Sequence, residues 1–528
     1  MSRVALYDTT LRDGTQRAGI SLSVDDKIRI AELLDQYGFD YIEGGWPGSN
    51  PKDEAFFPLV AQRLRHARLA AFGSTARRGE RPETDANLRA LLAAETPVAT
   101  IFGKASPLHV TDILGMTLAE NLAAVEASVR YLKAHGREVI FDAEHFFDGA
   151  RLDRRYALDV LRAAEQGGAD WIVLCDTNGG SLPDWIRELT EQAAALVRVP
   201  LGVHAHDDAG LGVANSLAAV QAGARMVQGT VNGYGERCGN ANLCTIWPNL
   251  VLKLGREAGR RDGLARLTEL ARRVAEIANL APDDAAPYVG QNAFTHKAGV
   301  HVGAVRKNPA AYEHVPPETV GQTRRVLVSE LAGRSNLLYH FEDLDDASGE
   351  AKELTARIKQ LEALGYQFEE AEASVALLVH RSRGQIPRYY EVERFHVSST
   401  WADSAITEAT VRVRVGDQAV LEVADGDGPV HALDLALRRA LTRFYPVLAE
   451  VRLTDYKVRV LDGQDGTAAR VRVLVQSAFR GEDVRTVGVS RNILQASWQA
   501  LLDALDYVLW KAGVVPAGRP EAVPARNA

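Results

Sequence analysis

The first 255 or so residues alternate short β-rich runs with amphipathic helical stretches, eight times over. The candidate strands are residues 4–8, 41–44, 69–72, 99–102, 139–142, 171–175, 201–204 and 226–231. Between them lie helical patterns such as 24–37, 84–94, 118–134, 154–166, 184–197 and 213–222. A strand reached only through a helix-length connection pairs in parallel with its predecessor. Eight such units in about 250 residues is the size of a closed (β/α)8 TIM barrel. A doubly wound open sheet is the competing arrangement, and the placement of polar residues argues against it. Asp8, Arg12, Asp13, Glu144, Asp176, Thr177, His204, His206 and Asn240 all fall at or just after strand C-termini, which in a barrel form one shared mouth.

Beyond the barrel the pattern changes twice. Residues 259–388 read as helical with short breaks, for example 264–278 and 350–364, whose apolar faces mark packed linker subdomains rather than a loose tether. From residue 389 to 515 strands dominate, and an internal repeat recurs at a spacing of roughly sixty residues. One copy runs through strands 411–415 and 420–423, then Gly-Asp-Gly-Pro-Val at 426–430 and a helix over 432–441. The other runs through 471–475 and 485–489, then Ser-Arg-Asn-Ile at 490–493 and a helix over 494–505. Two β-β-α units of this kind can stack into one small α+β domain, whose plain structural reading is a dimerisation module. Residues 516–528, rich in Pro, Ala and Arg, are expected to be disordered.

With 528 residues, several domains are expected. A net charge of −8 offers no basic surface for nucleic acid. No apolar run is long enough for a membrane span, and the first residues lack a signal-peptide pattern. Cys175, Cys238 and Cys244 make neither a disulfide framework nor a paired-cysteine zinc site, so a reducing cytoplasm is the expected compartment.

Three motifs at the expected mouth carry chemistry. His204-Ala205-His206 places two imidazoles on one face of a strand end, where both can reach one metal ion. Alone, such a pair is more often structural. Its position, followed by Asp207, Asp208, Gly210 and Gly212, favours a ligand role. After the first strand, Thr9-Thr10-Leu11-Arg12-Asp13-Gly14 offers a hard oxygen ligand beside a fixed cation. In isolation it reads as a turn with a surface ion pair. The glycine-rich run 233–240 can be a tight connection or can bring Asn240 to the metal. One Asp, two His and an Asn with open positions suit Zn²⁺, Mn²⁺, Mg²⁺ or Co²⁺ in a catalytic site.

The runs DTTLRDGTQ, HAHDDAGLGVANS, NGYGERCGN and NAFTHKAGVH together resemble the metal-dependent synthase family that holds 2-isopropylmalate, homocitrate and citramalate synthases. The likeness covers nearly the whole chain, including GDGPV and SRNILQASWQAL of the terminal repeat, and YIEGGWPGSNPKD is similar to the citramalate branch. The resemblance implies an acyltransferase that joins acetyl-CoA to a 2-oxo acid, pyruvate in that branch, and then hydrolyses the thioester. It implies that Asp13, His204 and His206 bind the metal with Asn240 close by, that Arg12 polarises the keto group, and that Thr177 holds the carboxylate. It links His301, Glu144 and Tyr312 to proton transfer. Without it, His301 reads as a loop histidine and Tyr312 as a half-buried aromatic. Phe102 is a candidate for narrowing the substrate pocket. The resemblance also implies a homodimer with shared active sites and an amino-acid effector, isoleucine, at the terminal domain. Sister activities on larger 2-oxo acids, a lyase or aldolase on the same barrel, and a non-catalytic sensor are the rival readings. The sensor is disfavoured because it has no need of Arg12, Asp13, Glu144, His204 and His206 together.

Overall fold

The computed structural model describes residues 3–517 apart from 261, 329–333, 342, 345–348 and 402–404. Of the expected disordered tail at 516–528, residues 518–528 lie outside the described residues. The chain divides into two compact units, residues 1–294 with 313–324, and residues 295–312 with 325–528.

The first unit is a closed parallel barrel of eight strands in chain order. They are β1 (Ala5–Asp8), β2 (Tyr41–Gly45), β3 (Arg68–Ser74), β4 (Val98–Lys104), β5 (Glu138–Glu144), β6 (Trp171–Asp176), β7 (Leu201–Ala205) and β8 (Met226–Gly229). β1 pairs with both β2 and β8, which closes the ring. Strands buried on both faces read as apolar runs rather than alternating ones. Inside, Tyr7, Tyr41, Ala70, Val98, Ile140, Val173 and Met226 fill the barrel. Outside, Leu6, Ile42, Leu69, Ile101, Val139, Ile172 and Val203 pack against the surrounding helices.

The helix Val24–Tyr37 shows how local sequence places these layers. The Ser23 hydroxyl accepts from the Asp26 amide while the Asp26 carboxylate accepts from the Ser23 amide, a capping box that starts the helix at the sequence-expected residue. Ile28, Ile30, Ala31, Leu33, Leu34 and Tyr37 are buried from it. Each large apolar side chain so covered stabilises by about 1.5–3 kcal/mol, and Leu34→Ala would cost about 2–5 kcal/mol. The barrel's core extends beyond residue 258. Helix Leu267–Ile277 buries Leu267, Leu270 and Val274 in it, together with Phe294, Val315 and Val320. The stretch 259–388 is therefore divided between the two units.

In the second unit, β9 (Thr295–His296) and β10 (Arg325–Val326) form a short parallel pair. Helices Gly299–Lys307, Arg334–His340, Glu350–Ala363 and Glu372–Ser382 accompany it. The repeat follows as two antiparallel sheets, β11 (Glu391–Trp401), β12 (Ala405–Val415) and β13 (Gln418–Gly426), then β14 (Arg452–Val460), β15 (Val471–Phe479) and β16 (Glu482–Ser490). Helices Pro429–Thr442 and Ile493–Lys511 complete the copies. Each copy is thus β-β-β-α, and the β-β-α unit expected from sequence lacks its leading strand. β14, Arg-Leu-Thr-Asp-Tyr-Lys-Val-Arg-Val, is largely exposed and interleaves charge with apolar residues. It offers no contiguous apolar run, and only its pairing with β15 makes it a strand.

Candidate active site at the barrel mouth

The turn after β1 carries Arg12 and Asp13, and β7 delivers His204 and His206 to the same place. His204 Nε2 lies 3.5 Å and His206 Nε2 3.8 Å from Asp13 Oδ2. Among the described residues, Asp13, His204 and His206 form the one group of at least three His, Cys, Asp or Glu side chains with ligand atoms this close, all within 4.8 Å. All three are buried. Burial pushes His204 down to about 4, reinforced by the neighbouring His206 and opposed by Asp13, so its imidazole is neutral at pH 7 with a free lone pair. Burial alone would raise Asp13. The Arg12 guanidinium and the two nearby imidazoles outweigh it and hold the carboxylate ionised, far below its usual range.

The residues fit a divalent cation. Asn240 pairs by backbone with His206, and its Nδ2 donates to Tyr234 O at 3.1 Å. Its Oδ1, like His206 Nδ1, is buried without a hydrogen-bond partner. A buried polar atom without a partner is costly unless another group satisfies it. Gly235 makes this approach possible: its φ is +157°, and a Cβ there would run into Asn240 Nδ2. Two imidazole nitrogens and a carboxylate, with Asn240 paired to His206 by backbone beside them, form a mixed donor set suited to Mg²⁺, Mn²⁺ or Zn²⁺.

Arg12 is held on three sides. Its Nε donates to Glu43 Oε1 at 2.6 Å, its Nη1 lies 3.2 Å from Asp13 Oδ2, and its Cζ stands 3.7 Å over the centre of the Phe72 ring. Burial works against its charge, but Glu43 and Asp13 outweigh that and keep the guanidinium protonated. Glu43 also accepts from Tyr7 at 2.5 Å and from Thr9 at 2.6 Å. Glu43 is a residue that motif reading passed over. A carboxylate inside an otherwise apolar strand was the available signal.

The cavity has a volume of about 230 Å³ and includes Arg12, Asp13, Glu144, Thr177, His204 and His206 in its lining. Phe102 also lines it, together with Trp46 and Phe72, which the sequence did not single out. These three rings pack on one another, with Trp46 edge-on to Phe72 and Phe102 at 5.7 Å and the two phenyl rings stacked at 5.4 Å. Trp46 Nε1 donates to Asn87 Oδ1 at 2.8 Å, and the Trp46 amide donates to Asp53 Oδ2 at 2.8 Å. Gly45, at φ +147°, lets Asp53 come this near, since a Cβ there would overlap its carboxylate.

Thr177 Oγ1 accepts from the His145 amide at 2.8 Å, which leaves the hydroxyl proton to be donated elsewhere. Glu144 forms an ion pair with Lys104. His301 and Tyr312 belong to the second unit, where their rings stand 4.3 Å apart and both side chains are exposed, Tyr312 by 48%.

Residues 3–273 match the HMGL-like family, residues 288–365 the homocitrate synthase post-HMGL domain-like family, and residues 369–509 the LeuA allosteric (dimerisation) domain. The chain is 52% identical over 523 residues to an (R)-citramalate synthase of Synechocystis sp., with 96% of each chain covered. It is 51% identical to one of Aquifex aeolicus, covering 96% of this chain and 98% of that one. The chain belongs to the (R)-citramalate synthase family. A 2-isopropylmalate synthase of Methanocaldococcus jannaschii is 31% identical, covering 96% and 95%. The sister branch is thus recognisable but distinctly further off. Membership makes the protein an acyltransferase. Among the described residues no helix is long and apolar enough to cross a membrane.

Proposed function

We propose that this chain condenses acetyl-CoA with pyruvate and hydrolyses the product thioester, giving citramalate and CoA. The acetyl methyl group loses a proton, its carbon bonds to C2 of pyruvate, and the keto oxygen takes up a proton to become a hydroxyl. Water then cleaves the thioester and releases CoA as the free thiol. The reading is carried by Arg12 and the Asp13–His204–His206 cluster facing a cavity of about 230 Å³ lined by three aromatic rings. Pyruvate puts only a methyl group against those rings. Each extra methylene to be fitted or excluded is worth about 1–3 kcal/mol.

The contacts support the roles assigned to Arg12 and Thr177, and the family resemblance supports the others. Arg12, kept charged and oriented by Glu43, stabilises the negative charge that develops on the keto oxygen. Thr177, whose oxygen is engaged by His145, donates its hydroxyl proton to the pyruvate carboxylate. Asp13, His204 and His206, with Asn240 beside them, hold a divalent cation (Mg²⁺, Mn²⁺ or Zn²⁺) that when bound acts as a Lewis acid toward the oxo acid. His301 is the base that takes the methyl proton, with Tyr312 against its ring and Glu144 as the second proton-transfer group. The protein acts as a cytoplasmic homodimer. Residues 369–509 supply the dimerisation domain and receive an amino-acid effector, for which isoleucine is the candidate.

Free-CoA release with acetyl-CoA and each of pyruvate, 2-oxoisovalerate, 2-oxoglutarate and glyoxylate tests this. Release selective for pyruvate, lost on chelation and restored by Mg²⁺ or Mn²⁺, is expected. A preference for 2-oxoisovalerate or 2-oxoglutarate would overturn the substrate, and release that survives complete chelation would overturn the metal.

A further inference from the structure

Behind the metal-binding histidines lies a buried relay that the reaction scheme does not use. β7 and β8 pair so that His204 stands opposite Gln228. Gln228 is 0% exposed, and its Oε1 is 2.9 Å from His204 Nδ1. Its Nε2 donates to Asp142 Oδ1, on β5, at 3.0 Å. Asp142 is itself buried and shares the cavity lining with His204.

The contacts give this chain a polarity. Asp142 Oδ1 accepts from Gln228 Nε2 at 3.0 Å, and burial, which favours the protonated carboxyl, is compatible with that contact when the proton sits on Oδ2. The Gln228 amide so turned has its carbonyl oxygen facing His204. An amide oxygen only accepts, so the hydrogen of a neutral His204 ring sits on Nδ1. The lone pair is then on Nε2, the atom that faces Asp13 at 3.5 Å. The opposite tautomer would set a lone pair against a lone pair at Gln228 and block the ligand nitrogen with a proton.

We infer that Gln228, anchored by Asp142, is a positioning residue that fixes the His204 tautomer and thereby prepares Nε2 to bind the cation. This rests on the proposed metal site. A ligand histidine whose second nitrogen is held by a partner binds its metal tighter, and loss of such a partner typically weakens affinity by about ten- to a hundred-fold. Gln228 meets that requirement with an atom that cannot lose its acceptor character with pH. It also lies in the strand register that carries the ligand, so the alignment is set by the barrel itself.

The test measures Mn²⁺ and Co²⁺ binding to the full-length, chelator-stripped protein by titration calorimetry, with thermal unfolding of the metal-free form as the check on folding. Gln228→Met, similar in length but unable to accept, is expected to weaken the cation by about ten- to a hundred-fold. The double variant Gln228→Glu with Asp142→Asn reverses the amide and carboxylate yet still offers an oxygen to Nδ1, and it is expected to regain most of that loss. Unchanged affinity in folded Gln228→Met, or a double variant as weak as the single one, overturns the inference. Should Gln228→Met fail to fold, ¹⁵N shifts of His204 in the metal-free wild type decide, assigned by comparison with His204→Gln. A proton on Nδ1 supports the relay and a proton on Nε2 overturns it. Loss of binding in His204→Ala with normal binding in Gln228→Met would leave the metal site standing while the relay falls. A wild-type protein that binds neither cation would overturn both.

Discussion

The carboxylate of Glu43 accepts hydrogen bonds from Tyr7, Thr9 and Arg12 together, wholly buried beneath the cavity's guanidinium. Arg12 has little freedom left: Glu43 takes its Nε and Phe72 covers its face. Preorganisation of that kind is what makes a cation effective against developing charge. Arg12→Ala is expected to fold and to lose about 10²–10³ in kcat. Glu43→Gln, which touches no substrate in this scheme, should lose about 10-fold or more by releasing Arg12 from its orientation. Steady-state CoA release with circular dichroism checks both, and full activity in either would refute the assigned role. Asp8 makes a separate prediction about stability. Burial raises it from 3.8 to about 7, against hydrogen bonds from Thr10 that pull it down. A carboxyl raised in the folded state favours folding while protonated, and that advantage is lost as pH climbs from about 4 through 7. An asparagine does not titrate, so the stability of Asp8→Asn relative to wild type should rise across that window. Urea unfolding at several pH values measures it, and a difference independent of pH would contradict the burial argument.

Elements, rather than residues, create the aromatic wall of the cavity. β2 and the turn after it bring Trp46 into contact with Phe72 of β3 and Phe102 of β4. The turn is held by the Trp46 amide on Asp53, whose carboxylate also pairs with Lys27 of the helix Val24–Tyr37. Removing the indole opens the cavity on that side. Trp46→Ala is expected to shift kcat/KM toward 2-oxoisovalerate over pyruvate by about 10–200-fold. Parallel assays of the two oxo acids would show it, and an unchanged ratio would mean that the aromatic wall does not set selectivity. Phe102 was legible because it ends an expected strand. Trp46 and Phe72 were not, since nothing in a one-dimensional pattern says which strand neighbours share a cavity. The leading strands β11 and β14 were missed for a related reason, as their charged residues are accommodated on the open side of a sheet that exists only once the partners are in place.

The whole molecule is two units built on different principles. The barrel unit positions chemistry at one mouth. The second unit carries His301 and Tyr312 at one end of its sequence and the repeat at the other. In the repeat, Leu433, Leu437 and Leu441 of the first copy share a core with Leu505, Val508 and Leu509 of the second, so neither copy buries its helix alone. Such a unit is expected to act as one cooperative block. The matched dimerisation domain predicts a homodimer. Light scattering of the full-length protein should give about twice the 57.4 kDa chain mass, and an active monomer would refute the shared-site reading.

The alternation of strands and helices in the barrel, and the meeting of Asp13, His204 and His206 at its mouth, were legible in the sequence alone. Periodicity reports which faces are buried, strand ends in a (β/α)8 barrel converge, and His204 and His206 share a strand face with Asp13 across the mouth. The tertiary structure decided what stands behind and around those residues. That Glu43 would hold Arg12, that Gln228 would face His204, and that Trp46 would meet Phe102 all depend on inter-strand register and barrel closure. These contacts join residues on different strands and turns, fixed by the packing of the entire ring, and no local propensity encodes them.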